Sequence, residues 1–295
     1  MRKLVKLAGY LMAGLVVLAV GASFHPEVRN VYRAISPVSS YDETPPTLPS
    51  DLGDRAVLIF TKTNGFRHRE AIEAGAKFFA DLAQRRGWSL FHTENGAVFN
   101  AQSLERFRVV VWHNTSGAPL DDSQRAAFRT WIEGGGGFVA IHAAVDDSHS
   151  SWQWYQREFV GAKFIGHILG PQFQEATLLV EPAEHPATKH LGPTWRHIEE
   201  WYSFDQSVRG QSGVQVLAAV DESTYIPRMK LLWTDKDLAM GDHPILWTRT
   251  VGAGRGFFSA LGHQGVAYST AEYQGVLEGA IEWAGRLDDT DDRVK

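Results

Sequence analysis

The sequence predicts an α/β domain built on a doubly wound, mostly parallel sheet with an antiparallel extension. Short β-rich runs alternate with helical patterns through the first half of the domain. One of these runs, VVVW at 109–112, contains no polar residue, as expected for a strand that is covered on both faces. Beyond residue 150 the alternation is less regular and strand-like runs dominate, which favours an antiparallel extension.

Each element has its own signal in the sequence. Apolar residues recur on one face of the first helix, and Gly87 ends it. Gly134 to Gly137 turn the chain into the strand FVAIH, and Gly252, Gly254 and Gly256 precede FFSALGH. The predicted elements are strands over 56–61, 89–92, 109–112, 138–142, 174–181, 214–220 and 245–250 and the late strand FFSAL at 257–261, and helices over 70–86, 122–133, 151–159 and 270–285.

The two ends of the chain differ from the domain between them. Residues 1–24 combine a basic flank with an uncharged run over 7–24, about 27 Å long as a helix, which predicts a membrane anchor or a cleaved signal segment. The basic flank would stay inside, so the domain is expected to be exported to the periplasmic or extracellular face. Residues 25–54 are predicted to form a Pro-rich linker, 55–286 the domain and 287–295 a charged tail.

Composition excludes several classes of function. The net charge of −5 gives no basis for nucleic-acid binding, which would need a basic surface. The 295-residue chain contains no cysteine, which excludes disulfides, thiolate ligands, a cysteine nucleophile and a lipoprotein anchor. The 10 tryptophans suit either stacking on sugars or core packing. Nothing in the sequence indicates the oligomeric state.

Histidines follow several of the predicted strands. His113 follows VVVW, His142 ends FVAIH, His263 follows FFSAL, and His68 lies in the loop after the first strand. Ligands of open parallel sheets bind beyond the carboxyl ends of the strands. These four histidines are therefore expected to share one pocket, although a single histidine at such a position is more often structural.

Six short motifs together resemble the trehalose-utilisation, or ThuA-like, family. They are TKTNGFRH, GGGGFVAIHAAVD, EEWYSF, DESTY, GDHPILW and ALGHQ, and the resemblance runs from about Val57 to Trp283. The resemblance implies a flavodoxin-like fold similar to that of class I glutamine amidotransferases. In those enzymes a cysteine nucleophile stands about where His142 stands here, and the catalytic histidine matches His263. Thioester chemistry is therefore not implied for this chain.

The resemblance also implies a function in the catabolism of a disaccharide or keto-glycoside. His142 and His263 are predicted as a catalytic acid–base pair with Glu200 orienting or abstracting a proton. Alternatively, a divalent metal such as zinc could be held by histidines and a carboxylate, with His142, His167 and His263 as ligands. A third alternative is a glycosidase using Asp146 and Glu200. The predicted substrate-binding residues are His68, Asp146, Trp201, Tyr202 and His243.

Several of these residues have plainer interpretations. His68 can neighbour the following helix, Asp146 can be a turn residue, and His243 before Pro244 can position the backbone. His185 and His190 in EHPATKH receive no role. At the level of function, the alternative to a sugar-converting enzyme is a membrane-tethered module that binds or senses carbohydrate without turnover.

Overall fold

The computed structural model describes residues 26–182, 184–231 and 234–287 of the chain. The predicted anchor or signal segment over 1–24 lies outside the described residues, as do residues 288–295 of the predicted tail. Among the helices of the described ranges, none has both the length and the apolarity that crossing a bilayer requires.

The described residues form a mixed set of helices and strands. The α-helices are α1 (Pro26–Ile35), α2 (Arg69–Arg86), α3 (Ala101–Leu104), α4 (Asp122–Glu133) and α5 (Ala271–Gly285). The strands of the main sheet are β1 (Ala56–Phe60), β2 (Ser89–Thr93), β3 (Val109–His113), β4 (Gly137–Ile141), β6 (Gln174–Val180), β7 (Thr194–Glu199), β9 (Val214–Val220), β12 (Pro244–Val251) and β13 (Gly254–Ser259). Two small ribbons pair β5 (Phe164–Gly166) with β8 (Ser203–Phe204) and β10 (Arg228–Leu231) with β11 (Thr234–Asp237).

The main sheet has nine strands in the order β2-β1-β3-β4-β13-β12-β9-β6-β7. The first five are parallel to one another, and each of the remaining four is antiparallel to its neighbours. The predicted fold class, a mostly parallel α/β sheet with an antiparallel extension, is confirmed. The carboxyl ends of β1, β3, β4 and β13 consequently meet at one edge of the sheet.

Helices cover both faces of the parallel part. Phe138 of β4 packs against Phe128 of α4, with ring centroids 5.2 Å apart. Its neighbour Gly137 lies against Ala284 of α5, so closely that an added Cβ would be 2.3 Å from the carbonyl oxygen. Because consecutive residues of a strand point to opposite faces, α4 and α5 lie on opposite sides of the sheet. This double cover explains why β1, β3 and β4 are entirely buried.

The segment over 25–54, predicted as a Pro-rich linker, includes a helix and makes contacts with the domain. It includes α1, which begins at Pro26, a favourable first helical residue because an N–H at that position would lack an intrahelical partner. Further on, Asp42 pairs with Lys62 and accepts the backbone N–H of Gly96 at 2.7 Å. These partners are distant in sequence, so local composition could not reveal that the segment packs along the domain.

Strand β7 is absent from the sequence-based elements although it leads directly to Glu200. Its buried residues are Trp195, His197 and Glu199, which alternate with exposed ones. Two of the three inward residues are polar, so the alternation of burial does not appear as an alternation of hydropathy. The run predicted as a short helix over 151–159 is a π-helix over Trp154–Val160.

Candidate active site

The centre of the candidate site is His142, which follows β4 directly. Its backbone has φ of +53°, a left-handed conformation that few residues other than glycine adopt. The side chain is fully buried, and its Nδ1 lies 3.1 Å from the carbonyl oxygen of Ala260. A carbonyl can only accept, so Nδ1 donates a hydrogen bond to it, and Nε2 is the nitrogen that faces the other site residues.

Glu200 brings one carboxylate oxygen close to Nε2 of His142. Its Oε2 lies 3.0 Å from Nδ1 of His263 and 3.5 Å from Nε2 of His142. The two histidines approach each other at 3.0 Å through the same nitrogen atoms. The hydroxyl of Tyr202 lies 2.9 Å from Nε2 of His142, within hydrogen-bond distance. Three side chains thus surround Nε2 of His142.

The other oxygen of Glu200 has partners of its own. Oε1 lies 3.0 Å from Nδ1 of His167 and accepts a hydrogen bond from Nε2 of Gln172 at 2.5 Å. Gln172 has no counterpart among the sequence-based candidates, because it lies in a loop with no periodic pattern. His167, predicted as a metal ligand, therefore lies on the far side of the carboxylate from His142.

These contacts decide the charge of the buried carboxyl. Burial alone would raise the pKa of Glu200, but the hydrogen bonds and charges of His142 and His263 outweigh burial and hold that pKa well below its usual range. Burial lowers the pKa of His167, more than Glu200 raises it. At neutral pH the site therefore combines an ionised carboxylate with an uncharged imidazole at its margin.

His68 completes the cluster from the loop after β1. Its ring stands edge-on to those of His142 and His263, with centroids 4.7 and 4.5 Å away. Burial and the two neighbouring imidazoles lower the pKa of His68 well below 6.5. Its Nδ1 is buried and has no hydrogen-bond partner among the described residues, an arrangement that normally costs about 1–3 kcal/mol.

Arg67, which precedes His68, is the residue through which the loop after β1 is attached to α1. The amide of Asn30 in α1 donates to the carbonyl of Arg67 at 2.9 Å and accepts its N–H at 2.6 Å. Asn30 is buried, unlike the residues at 28, 29 and 31–35 of the same helix, so α1 is attached to the domain immediately beside His68.

Four side chains offer a set of atoms suited to a cation. One ligand atom from each of His68, His142, Glu200 and His263 lies within 4.8 Å of the others. Three imidazole nitrogens and one carboxylate suit zinc or a similar divalent ion. The Nδ1–H of His142 bonded to a carbonyl is the support that metal-ligating histidines usually have. The donor set therefore fits a metal. His142 and His263 belong both to this set and to the predicted ligands, whereas His68 belongs to the set and the predicted ligand His167 does not.

The cluster lies at the bottom of a cavity of about 530 Å³. Such a volume accommodates a small organic molecule of disaccharide size. Several predicted site residues line it, namely His68, Asp146, His167, Glu200, Tyr202 and His263. The walls also include residues that the sequence did not single out, among them Val31, Ala34, Pro37, Phe66, Phe164 and Leu169. Three of these come from α1 and the turn after it, so the described N-terminal segment forms part of the site.

Two predicted substrate-binding residues lie outside the cavity wall. Trp201 is buried and donates its indole N–H to the carbonyl of Gln174 at 2.9 Å. His243 is buried between Glu222, 2.8 Å from its Nδ1, and the carbonyl of Tyr202, 2.7 Å from its Nε2. The ring of Trp201 points into the core and His243 contacts the backbone of Tyr202, so neither side chain lines the cavity.

The expectation that His113 shares the pocket was also wrong. Its ring lies under α2 with Nε2 2.8 Å from the hydroxyl of Tyr268, and it is fully buried. Gly75 of α2 leaves room for it, because an added Cβ would lie 2.1 Å from the ring. His113 is therefore a packing residue, and burial lowers its pKa to about 3.

We expect Gly75→Ala to destabilise the protein by about 3 kcal/mol. Alanine would ordinarily favour a helix interior by about 1 kcal/mol over glycine, but the clash with the immobile His113 ring exceeds that gain. Urea unfolding would measure the loss. Adding His113→Ala should restore part of it in a double-mutant cycle, whereas strictly additive losses would show that the two residues do not collide.

Stability is expected to fall between pH 7.5 and pH 5. Burial lowers the pKa of His113 to about 3 and of His149 to about 4, so both stay neutral in the fold while the unfolded chain takes up protons near 6.5. At pH 5 each histidine should cost about 2 kcal/mol of unfolding free energy. The lowered pKa of Glu200 adds a loss only below about pH 4.5. An unchanged urea midpoint at pH 5 would contradict this expectation.

Solved structures with the same fold include proteins of known family. One is a ThuA-like protein from Bacteroides uniformis, with a TM-score of 0.67, 24% identity, and coverage of 82% of this chain and 95% of that one. Another, from Parabacteroides merdae, has a TM-score of 0.58, 18% identity, and coverage of 78% and 89%. A cytoplasmic protein from Salmonella typhimurium has a TM-score of 0.53, 10% identity, and coverage of 78% and 99%.

The sequence comparison with family models identifies the domain. No curated protein matches the chain. The model described as ThuA, trehalose utilisation, matches residues 56–284, which include every strand of the sheet and the whole His–Glu cluster. The chain belongs to the ThuA, or trehalose-utilisation, family.

Proposed function

We propose that the protein is an enzyme of carbohydrate catabolism that converts a disaccharide or keto-glycoside with the help of a divalent metal ion. The observation that carries the proposal is the convergence of His68, His142, Glu200 and His263 within 4.8 Å beneath a cavity. The family description, trehalose utilisation, supports a sugar as the substrate class.

The four clustered side chains would hold the ion through three imidazole nitrogens and one carboxylate oxygen. A bound divalent ion supplies Lewis-acid polarisation of a sugar ketone or hydroxyl oxygen. The low pKa of Glu200 keeps its carboxylate ionised, and the low pKa of His68 keeps its imidazole neutral, which are the protonation states that metal ligation needs.

His167 and Tyr202 are placed to move protons. The side chain of His167 is 24% exposed, and its lowered pKa keeps it neutral, so it can act as a base on a bound sugar. In a keto-glycoside, a base removes the proton beside the ketone, and the glycosidic C–O bond on the next carbon breaks. An acid then protonates the leaving oxygen. We assign that donation to the hydroxyl of Tyr202, which lines the cavity.

The same cluster without a metal would use His142 and His263 as an acid–base pair beside Glu200. Their 3.0 Å separation suits proton transfer, but both rings would then lie below the cavity floor or at its edge. The two versions differ in one property, the effect of a chelator on turnover. We propose the metal-assisted version because four potential ligand atoms converge within 4.8 Å of one another.

The test uses protein purified without a histidine tag. We expect about one divalent ion per chain by elemental analysis, and conversion of at least one member of a panel of disaccharides and their keto derivatives. Chelation should abolish conversion and added zinc should restore it. Full activity in chelator with no bound metal would contradict the metal. A sugar that binds and is never converted would indicate a binding or sensing module.

We also propose that the domain acts outside the cytoplasm, held by residues 1–24. The basic flank of Arg2, Lys3 and Lys6 and the uncharged run over 7–24 support this orientation. Protease added to intact spheroplasts should degrade the domain while sparing a cytoplasmic marker. Resistance of the domain until the cells are lysed would contradict export.

A further inference from the structure

Helix α1 exposes a stripe of apolar side chains. Val28, Tyr32 and Ile35, spaced at four and three residues, share one face of the helix. They are 44%, 64% and 80% exposed. Isolated exposed apolar residues are ordinary, but three in line over two turns indicate a surface that is covered by something else.

The orientation of α1 is set by its opposite side. Asn30 is hydrogen-bonded to both backbone groups of Arg67, and Ala34 lines the cavity. The apolar stripe lies on the side of α1 opposite Asn30, where Val28 and Tyr32 also border a surface cavity with Ser40 and Asn64. Repacking of α1 against its own sheet could not cover the stripe without breaking the two hydrogen bonds of Asn30.

Positive charge borders the stripe. Arg29 and Arg33 lie one turn apart on the same helix, and neither forms an ion pair with another residue in the described part of the chain. A helix with an apolar face beside arginines is suited to the interface of an anionic bilayer, where apolar side chains enter the acyl boundary and arginines meet phosphates.

The place of α1 in the chain points to the same partner. The uncharged run over 7–24 ends one residue before the helix, with only His25 between them. Pro26 opens α1, and a proline starts a helix more readily than it continues one. One residue spans at most about 3.6 Å, so a segment in the bilayer would deliver the start of α1 to the bilayer surface.

We propose that α1 lies on the surface of an anionic phospholipid bilayer, with Val28, Tyr32 and Ile35 entering it. This inference rests on the proposed membrane segment and not on any catalytic activity. A ten-residue helix binds lipid weakly by itself, but the preceding segment would hold it at high local concentration. Since α1 also forms one wall of the cavity, the mouth of the site would face along the membrane.

The absence of cysteine from the chain allows a direct test. Full-length Tyr32→Cys and Ile35→Cys would be labelled with an environment-sensitive fluorophore and reconstituted in vesicles of phosphatidylglycerol and phosphatidylcholine. The matched control is Ile226→Cys, whose parent side chain is 60% exposed on the antiparallel part of the domain. We expect blue-shifted emission and at least twofold quenching by nitroxide lipids at positions 32 and 35, and neither at position 226.

Two further measurements separate lipid from other partners. Replacing Arg29 and Arg33 with glutamine, or omitting the anionic lipid, should reduce the quenching at position 35 at least twofold. Labels at 32 and 35 that are as accessible to aqueous iodide as the label at 226 would overturn the proposal. Protection of these labels from iodide that increases with the protein-to-lipid ratio would also overturn the proposal, because it would show that a second copy of the chain covers the stripe.

Discussion

Glu200→Gln is expected to reduce turnover by on the order of 1,000-fold and to abolish binding of the metal ion proposed for this site. The substitution keeps the shape of the side chain but removes its charge, and it replaces one acceptor oxygen with a donor. If the amide nitrogen takes the place of Oε2, it faces nitrogens of His142 and His263, and if it takes the place of Oε1, it faces Nδ1 of His167. These nitrogens lie 3.0–3.5 Å from the carboxylate oxygens. Elemental analysis and product formation from a converted sugar would measure both effects.

Glu199→Gln is the matched control for this prediction. Glu199 is equally buried one position earlier and accepts the backbone N–H of Gly262 at 2.6 Å, but it does not line the cavity. Glu200→Gln should lose about 2 kcal/mol of unfolding free energy and remain folded at 25 °C. Glu199→Gln should retain its metal and turnover within tenfold. Equal losses of metal in the two variants would contradict a specific role for Glu200.

His142→Asn is expected to abolish turnover while changing the unfolding free energy by no more than about 1 kcal/mol. The backbone of residue 142 is left-handed, with φ of +53°, a conformation that asparagine tolerates well. The substitution therefore relieves backbone strain at the same position where it removes the imidazole nitrogen that faces Glu200. Urea unfolding and product analysis would measure the two effects separately.

His113→Asn provides the contrast, since His113 is just as buried but holds no ligand atom of the cluster. Losing its contact with Tyr268 and its packing under α2 should cost about 3 kcal/mol. Any protein that remains folded should still bind metal. If His142→Asn proves as destabilising as His113→Asn, the strained conformation of residue 142 is not a functional feature.

Much of the fold follows from local signals in the sequence. The buried runs of β1, β3 and β4 are apolar throughout because helices cover them on both sides. Gly87, in the left-handed conformation, ends α2 where the sequence predicts it. Strand β7 escapes prediction because its inward side includes His197 and Glu199, whose polarity hides the alternation of burial.

The candidate site is predictable only in part, for a geometrical reason. The strand-end rule places a residue at an edge of the sheet but does not say toward which face its side chain points. His113, the last residue of β3, points under α2, whereas the left-handed backbone of His142 directs its ring toward Glu200. His68 and His263 meet the expectation. Gln172 and α1 reach the site through contacts that no local pattern encodes.

The wall that α1 contributes has a practical consequence for work with shortened forms of the protein. A recombinant domain starting at residue 56 would contain the entire family match yet lose Val31, Ala34 and Pro37 from the cavity and Asn30 from Arg67. Its substrate range and its affinity would then describe an opened version of the cleft. Kinetic comparison with relatives should accordingly use chains that retain residues 26–55.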